Sequence, residues 1–526
     1  MYKVILFAFL GICSSIFGQN PQIIWDNTIG GTGADTARSM DQTSDGGIVI
    51  LGESLSPISG DKTEGNIGDF DYWVVKLDVN GAIQWQNTIG GSISDRARSI
   101  KQTPDGGYII GGYSASFISG DKTEDPIGAN DYWILKLDST GTVQWDNTIG
   151  GTGSDTLFSI ELTSDGGYLL GGSSESGISG DKTEPNRGGD DYWIVKIDGN
   201  GSIIWDKTIG GSSNDDLIAL KETIDGGYLL AGHSNSNISG EKTENSINGS
   251  RDYWLVKLDS NLAIQWDETI GGNGGEEMTS MVQTSDGGYL IGGNSNSNSS
   301  ADKTEDVIGV VDYWIVKTDG VGNVEWDNTI GGNLIEFGGN ALETTDGNYV
   351  VLGHSQSGIS GDKTENSLGS YDYWFLILNS NGSILYQDTI GGDQVDSNFF
   401  MDYSQQGESF YIVGSSFSNI SGDKTEDNIG GTDFWIVKLD NVLNIAIQEF
   451  RNDLTLFPNP GKDFLVWNYP EMNIEQLKVF DIHGKQLNLI SEISENRLDI
   501  SRLASGVYVI QLTSEGTTIT KKFIKE

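Results

Sequence analysis

The chain is almost free of cysteine, since Cys13 is the only one among its 526 residues. Cys13 lies in an N-terminal segment that we expect to be removed. The remaining chain then has no disulfide, no thiol nucleophile and no thiolate metal site. A chain without disulfides must depend on burial for its stability.

Histidine and basic residues are also scarce. The three histidines are His233, His354 and His483, and 31 Lys and Arg stand against 75 Asp and Glu, which gives a formal charge of −44. Nearly all of this charge lies before residue 452. Such a field repels nucleic acid and anionic membranes, so we expect neither as a partner. Two explanations of the acidity stay open: plain solubility, and the concentration of divalent cations.

No apolar run is long enough to span a bilayer, and we therefore expect no transmembrane segment. Residues 1–18 instead have the features of a secretory signal peptide: Lys3, the apolar run Val4–Ile12 and the small residues of Ser14–Gly18. Cys13 raises the alternative of a lipoprotein signal. Ile12, however, occupies a position where that signal requires a small residue.

Helical periodicity is absent as well, and a repeat of about 60 residues takes its place. The Asp-Tyr-Trp triplet, once Asp-Phe-Trp, occurs seven times and ends at Trp73, Trp133, Trp193, Trp254, Trp314, Trp374 and Trp435. In the second copy, residues 97–103, 107–114, 131–138 and 142–150 have strand character. Tight turns with glycine join the first two and the last two segments. Four antiparallel strands per unit and seven units predict a propeller.

The strand count also predicts how the ring closes. Residues 23–30 read as a fourth strand with no first three before it, whereas the seventh unit, over 399–405, 409–415 and 433–440, lacks its fourth strand. Closing the ring with the N-terminal strand removes exposed sheet edges. We therefore predict an all-β fold in which residues 19–447 form a seven-bladed β-propeller of four-stranded blades.

The repeats resemble the bacterial β-propeller repeat family. The resemblance rests on Ala97–Ile100, Asp105–Tyr108 and the run from Leu137 through Trp145 to Gly151. It implies the same fold over about residues 23–440. It says little about activity, because propellers carry many functions.

Connectivity predicts which loops share a face. In each blade the long loop between the second and third strands lies at the same end as the inter-blade loop, and binding sites usually lie on such loops. The long loops carry Gly-Asp-Lys-Thr-Glu or a close variant, with two carboxylates three residues apart. We predict that these form a ligand-binding face: Asp61, Glu64, Asp121, Glu124, Asp181, Glu184, Glu241, Glu244, Asp302, Glu305, Asp362, Glu365, Asp423 and Glu426. Carboxylates of this kind suit Ca²⁺, but the interposed Lys also allows a purely structural loop lock without a metal.

The function that we predict is a non-catalytic, exported or cell-surface binding module for an extracellular glycan or protein, and we expect a monomer without a cofactor. The alternative is a secreted enzyme that acts on polysaccharide from the loop face. Paired carboxylates permit that chemistry. The seven units are nearly interchangeable, however, whereas an enzyme needs one site that differs from the others; differences are confined to details such as Arg187, Arg251 and the sixth and seventh inter-blade loops.

The repeat ends after Ile447, and a linker over 448–453 is expected before a separate tail. Residues 454–526 resemble the type A C-terminal sorting domain of the type IX secretion system of Bacteroidetes. The resemblance rests on Leu456–Pro460, Val479–Gly484, Leu503–Val509 and Lys521–Glu526. It implies the secretion machinery as a partner, with a sorting signal that contains Pro458, Asn459, Pro460, Gly506, Tyr508, Lys521 and Lys522. Without the family, the same tail reads as a small β-sandwich.

Overall fold

The computed structural model describes residues 21–403, 409–440, 456–467, 476–481, 485–487, 491–492, 497–514 and 517–526. The predicted signal peptide (1–18) and linker (448–453) lie outside the described residues. The chain divides into two compact units, one of which is Gln22–Asp440 and the other of which contains the C-terminal residues from Asn441 onward.

The first unit consists of seven antiparallel four-stranded sheets. Six of them use four consecutive strands. In chain order, the strands of the first three blades are β2 (Asp35–Gln42), β3 (Ile48–Ser54), β4 (Asp71–Leu77), β5 (Ile83–Ile89), β6 (Asp95–Gln102), β7 (Tyr108–Ser114), β8 (Asp131–Leu137), β9 (Val143–Ile149), β10 (Asp155–Leu162), β11 (Tyr168–Ser174), β12 (Asp191–Ile197) and β13 (Ile203–Ile209). The strands of the next three blades are β14 (Asp215–Glu222), β15 (Tyr228–Ser234), β16 (Asp252–Leu258), β17 (Ile264–Ile270), β18 (Glu276–Gln283), β19 (Tyr289–Ser295), β20 (Asp312–Thr318), β21 (Val324–Ile330), β22 (Glu336–Glu343), β23 (Tyr349–Ser355), β24 (Asp372–Leu378) and β25 (Ile384–Ile390).

The seventh blade joins the two ends of the repeat region. It contains β26 (Asp396–Tyr403), β27 (Ser409–Ser416) and β28 (Asp433–Asp440), and its fourth strand is β1 (Ile23–Ile29). β1 pairs antiparallel with β28, for example Asp26 with Val437. The predicted closure of a seven-bladed propeller by the N-terminal strand is therefore confirmed.

The first strands surround the axis of the ring, because the first strands of neighbouring blades contact each other. Each described first strand contains a register shift near its middle; in β2 it falls between Ala37 and Ser39. In the second blade the first strand begins at Asp95, two residues before the predicted start. The cause is that Asp95 still pairs with Ser114 and donates its N–H to Phe70 O of the previous blade. Gly106, in the turn after this strand, has φ +82°, as the predicted turn required.

The core lies between the blades. The tryptophan that ends each Asp-Tyr-Trp or Asp-Phe-Trp triplet is fully buried. This tryptophan packs against the middle aromatic residue of the previous blade's triplet, with ring centroids 4.9–5.4 Å apart. In most of these pairs the tyrosine hydroxyl also donates to the tryptophan carbonyl, as Tyr132 does to Trp193 O at 3.0 Å. Apolar burial of this extent is the main source of stability for a chain without disulfides.

The second unit contains two small antiparallel sheets. Their strands are β29 (Leu456–Phe457), β30 (Phe464–Trp467), β31 (Gln476–Asp481), β32 (Gln486–Leu487), β33 (Ser491–Glu492), β34 (Arg497–Asp499), β35 (Gly506–Ser514) and β36 (Thr517–Lys525). Side chains from both sheets, among them Leu465, Leu498, Ile510 and Phe523, form one buried apolar cluster. Two sheets around a shared core make the small β-sandwich that the alternating pattern predicts.

Candidate functional site

Each long loop folds its Ser-Gly-Asp-Lys segment into a tight hairpin at the end of the blade. In the first blade Ser59 and Lys62 exchange backbone hydrogen bonds of 3.2 and 3.0 Å, and Gly60 between them has φ +55°. The next residue, Asp61, donates its backbone N–H to Gly30 O of the seventh blade at 2.8 Å. The loop of one blade is thereby bonded to the end of the preceding blade.

The two carboxylates of each loop accept backbone N–H groups on different blades. The first carboxylate accepts from the glycine after the preceding blade's fourth strand, and the second accepts from a threonine of its own fourth strand. The first set is Asp61, Asp121, Asp181, Glu241, Asp302, Asp362 and Asp423, with distances of 3.1–3.2 Å. The second set is Glu64, Glu124, Glu184, Glu244, Glu305, Glu365 and Glu426, with distances of 2.7–3.1 Å.

The lysine between the two carboxylates is buried. Lys122 lies with its Nζ 5.2 Å from the centroid of the Trp133 ring and donates to Thr148 Oγ1 at 2.5 Å. The same ring contact occurs in all seven blades. Burial lowers the pKa of the equivalent Lys62 to about 8, although the surrounding carboxylates oppose this change. The motif therefore ties the long loop to the core tryptophan and to two blades at once.

This geometry gives every carboxylate of the predicted binding face a protein partner. Within the described ranges, no three His, Cys, Asp or Glu side chains group closely enough to hold a metal ion. A ligand or Ca²⁺ at these loops stays a prediction.

A second group of residues near the axis differs from blade to blade, in contrast to the repeated loops. Three positions in each blade form most of this layer: the second residue of the first strand, the residue before the last of the second strand, and the residue before the third strand. In the first two blades Arg38 and Arg98, the fourth residues of β2 and β6, join it. The first two positions pair across the sheet, as Arg96 does with Tyr113 and Asp216 with His233. The third position contacts the next blade through the backbone, because Asp95 N donates to Phe70 O.

The first two blades place three arginines around one buried carboxylate. Glu53 is fully buried, and its oxygens lie 3.1 Å from Arg38 Nη2, 3.0 Å from Arg96 Nη1 and 3.0 Å from Arg98 Nη1. The Arg98 guanidinium also donates to Tyr113 Oη at 2.9 Å. We name Arg38, Glu53, Arg96 and Arg98 the arginine cluster. It carries two excess positive charges in a strongly acidic chain.

The third to fifth blades place carboxylates at the same level. Asp216 Oδ2 lies 3.4 Å from His233 Nε2 and 4.0 Å from Arg251 Nη2, and Arg251 Nη1 lies 3.1 Å from Glu277 Oε1. Burial raises the pKa of Asp190 to about 6, helped by the charge of Asp216. The pKa of Asp216 itself is lowered: burial opposes this, and the hydrogen bond and charge of His233, with the charge of Arg251, outweigh it. We name Asp190, Asp216, His233, Arg251 and Glu277 the acidic arc.

The sixth blade contributes aromatic side chains instead. His354 lies edge-on to Tyr371 with ring centroids 5.3 Å apart, and Phe337 lies 6.1 Å from the same imidazole. Together, the arginine cluster, the acidic arc and these three side chains form what we call the axial cluster. Since its members lie at one end of the blades and differ from blade to blade, the axial cluster is the asymmetric part of an otherwise repetitive ring.

The sequence analysis missed most of this site. Arg251, His233 and His354 were named from the sequence without partners, and Asp216 lies beside His233. The signal was present in the sequence. A position-by-position comparison of the seven repeats shows three positions that vary next to the nearly constant Asp-Ser-Asp positions that begin or end the same strands.

In the second unit the predicted sorting residues come together at one end of β36. Asn459 Oδ1 accepts the Ile524 N–H at 2.9 Å, and Asn459 Nδ2 donates to Lys522 O at 3.3 Å. Tyr508 stacks on Phe523 and donates to Ala504 O. Pro458, Pro460 and Lys522 are exposed, Gly506 begins β35, and Lys521 lies in β36.

Residues 455–526 match the family of secretion system C-terminal sorting domains. Proteins with this domain are secreted through the type IX system to the cell surface or the extracellular space, and this protein is one of them. The family match does not test the expected origin in Bacteroidetes. No helix in the described part of the chain is long and apolar enough to cross a membrane.

The propeller unit has more distant similarities. A curated relative, the regulatory protein FlaEY of Caulobacter vibrioides, is 23% identical over 222 residues, which are 40% of this chain and 23% of that protein. The match thus spans less than a quarter of that relative. Among solved structures, the WD40 domain of Neurospora crassa Pan2 has a TM-score of 0.41 at 12% identity and covers 77% of this chain and 89% of its own. The gluconolactonase XC5397 of Xanthomonas campestris has a TM-score of 0.30 at 8% identity and covers 63% and 90%.

Proposed function

We propose that this exported propeller is a non-catalytic binding module that holds an extracellular ligand, a glycan or a protein, at the axial cluster. The observation that carries the proposal is where the blades differ. Packing and loop-locking residues repeat around the ring, whereas charged and aromatic side chains change from blade to blade in one layer at the axis. A rigid scaffold with one irregular polar end is the arrangement that many binding sites use.

The test is a binding screen of the full chain against glycan and protein arrays, followed by paired variants. Arg98→Ala and His233→Ala remove side chains from the axial cluster. Arg187→Ala is the matched control: its side chain is 20% exposed, as that of Arg98 is, but it lies in the long loop of the third blade and pairs with Glu241. We expect the two axial variants to weaken binding at least tenfold and the control to leave it unchanged.

Two results would contradict this assignment. The first is a ligand that binds the axial variants and the unmodified chain equally well. The second is loss of binding with Glu124→Gln alone, which would place the ligand at the repeated acidic loops. Thermal unfolding of every variant separates lost binding from lost folding.

A second candidate function is an enzyme that acts on polysaccharide, and one specific observation favours it. Asp190 and Asp216 interact electrostatically, yet the pKa of Asp190 is raised to about 6 and that of Asp216 is lowered. Two carboxyl groups with separated pKa values can share the roles of general acid and of nucleophile or base in glycoside hydrolysis.

This candidate is tested by following reducing ends released from a panel of polysaccharides. If the protein is an enzyme, Asp190→Asn and Asp216→Asn should each abolish release while binding persists. If the full chain binds a polysaccharide and releases no reducing ends between pH 4 and 8, the binding module remains and the enzyme is excluded for that substrate.

A further inference from the structure

The arginine cluster contains a guanidinium group that is only partly used. Arg96 stacks on Phe70, with its Cζ 3.8 Å from the ring centroid, and Glu53 Oε2 accepts from its Nη1 at 3.0 Å. Among the described residues, Glu53 is the side chain that accepts from Arg96, and 31% of the Arg96 side chain is exposed. Arginine has five N–H donors in a planar fork. The remaining donors of Arg96 therefore face solvent in a fixed orientation.

The net positive charge of the arginine cluster also favours an anionic ligand. One buried carboxylate cannot neutralise three guanidinium groups, and the pair formed by Arg98 and Tyr113 fixes a second guanidinium beside the first. A planar fork held in place loses little conformational entropy when it binds, and it matches the geometry of an oxyanion. The exposed donors of Arg96 thus lack an acceptor group, which a ligand can supply.

The next three blades have the opposite requirement. Asp190, Asp216 and Glu277 belong to the third, fourth and fifth blades, and carboxylates accept hydrogen bonds from neutral donors such as hydroxyl groups. The chain as a whole has a formal net charge of −44, so a polyanion is repelled before it reaches the arginines. These conditions select a ligand with one anionic group and several hydroxyl groups.

We infer that the axial cluster binds an acidic saccharide, whose single carboxylate or sulfate lies against Arg96 and whose hydroxyl groups face the acidic arc. This inference rests on the proposed function and names the ligand class for the same site. The chemistry common to the two anionic groups is an oxyanion that accepts two N–H donors from one guanidinium.

The experiment is calorimetric titration of the full chain with three disaccharides that share one backbone. One carries a uronate, one a single sulfate ester and one no charge. The variants are Arg96→Gln, which removes the charge, and Arg96→Lys, which keeps it without the fork. Arg187→Gln is the control. We expect an anionic probe to bind at least tenfold more tightly than the neutral one, and Arg96→Gln to abolish that preference. Arg96→Lys should restore part of it, and Arg187→Gln should leave it intact.

The outcomes separate this inference from the proposed function. If neutral and anionic probes bind equally, and axial variants weaken both, the binding site stands and the acidic saccharide is wrong. If Arg96→Gln and Arg187→Gln reduce the anionic preference equally, general charge explains it and the inference fails. If none of the probes binds while a protein from the array binds at the axial cluster, the ligand class is wrong and the proposed function stands. Stronger binding of the uronate or of the sulfate identifies the oxyanion.

Discussion

At the scale of single residues, Ala301 is the exception among the loop hairpins. Six blades have glycine at this position with φ of about +55°, and Ala301 adopts φ +49° in the fifth. A Cβ at the equivalent Gly361 would lie 2.4 Å from Gly331 O. Beside Ala301, the hydrogen bond from Asp302 N to Gly271 O measures 3.2 Å, whereas its counterparts measure 2.8–3.0 Å. The methyl group has displaced the loop from its neighbour.

We therefore expect Ala301→Gly to stabilise the propeller. The substitution removes a left-handed conformation that costs a non-glycine residue roughly 1–2 kcal/mol, and the greater freedom of glycine in the unfolded chain offsets about half of that. A gain of about 0.5–1 kcal/mol in the free energy of unfolding should appear in urea denaturation. Gly361→Ala is the matched reverse change and should destabilise. If both substitutions shift stability in the same direction, the strain assigned to Ala301 is wrong.

At the scale of elements, each blade junction buries two carboxyl groups. One begins the third strand of a blade and the other begins the first strand of the next. The pairs are Asp71 with Asp95, Asp131 with Asp155, Asp191 with Asp215, Asp252 with Glu276, Asp312 with Glu336, Asp372 with Asp396, and Asp433 with Asp35. All fourteen are fully buried. Burial, reinforced by the charge of the neighbouring carboxylate, raises the pKa of Asp71 to about 6 and that of Asp252 further.

These junctions predict that the fold is most stable in mild acid. A carboxyl group whose pKa is raised in the folded state stabilises the fold fully below its unfolded pKa of about 4, and this contribution is lost as the pH rises through the folded pKa. The melting temperature should therefore fall between pH 5 and pH 8. The buried lysines contribute only near the upper end of this window, because the lowered pKa of Lys62 is about 8 and both states are protonated well below it.

The junction between the fourth and fifth blades allows this to be tested with one substitution. Asp252 faces Glu276 and Lys242 and accepts the Ile247 N–H at 2.7 Å. Asp252→Asn keeps the acceptor and removes the titration. We expect the variant to match the unmodified protein at pH 5 and to melt at a higher temperature at pH 8. The partly exposed control Asp259→Asn, in a turn between two strands, should leave the slope unchanged. If stability rises steadily from pH 5 to pH 8, the raised carboxyl pKa values do not govern this range.

The elements themselves could be predicted from the sequence, whereas the axial cluster was not. Turn glycines and alternating apolar residues fixed the strands to within about three residues, since each depends on contacts within one repeat. The axial cluster depends on which residues of different blades meet around the ring. Arg38, Arg96 and Glu53 lie in two repeats, and only the bulged first strands and their order around the axis bring them together. The loop carboxylates were likewise found by their spacing, but their acceptance of N–H groups from two blades requires the three-dimensional ring.

At the scale of the whole molecule, the ring depends on a strand from the far end of the chain. Besides its pairing with β28, β1 supplies Asp26, which accepts from Trp435 Nε1 at 3.1 Å and from Thr425 N at 2.9 Å. Thr28 N donates to Glu426 Oε2 at 2.8 Å. The last blade therefore lacks its loop lock without these residues.

Deletion of residues 22–30 should lower the melting temperature of the propeller far more than deletion of residues 456–526, because the tail has its own core. The deletion exposes the edge of β28 and removes the hydrogen-bond partners of Trp435 and Glu426. A synthetic peptide of residues 21–31 added to the shortened chain should restore much of the loss. Equal melting temperatures for the shortened and full chains would contradict ring closure as a source of stability.

The charge of the whole molecule leads to the last prediction. Fourteen loop carboxylates lie on one face, and burial, followed by the charges of neighbouring carboxylates, raises the pKa of Asp61 and that of Asp121. Each carboxylate already accepts a backbone N–H, and the described residues hold no group of three metal-ligating side chains. We therefore expect Ca²⁺ to act by screening alone, so that millimolar calcium and a monovalent salt of equal ionic strength raise the melting temperature equally.

The control is the double variant Asp121→Asn with Glu124→Gln, measured in chelator to isolate the loss of the loop lock. A rise specific to calcium that this variant abolishes would instead establish a cation site at the loops, with a stabilisation that follows the calcium concentration by mass action.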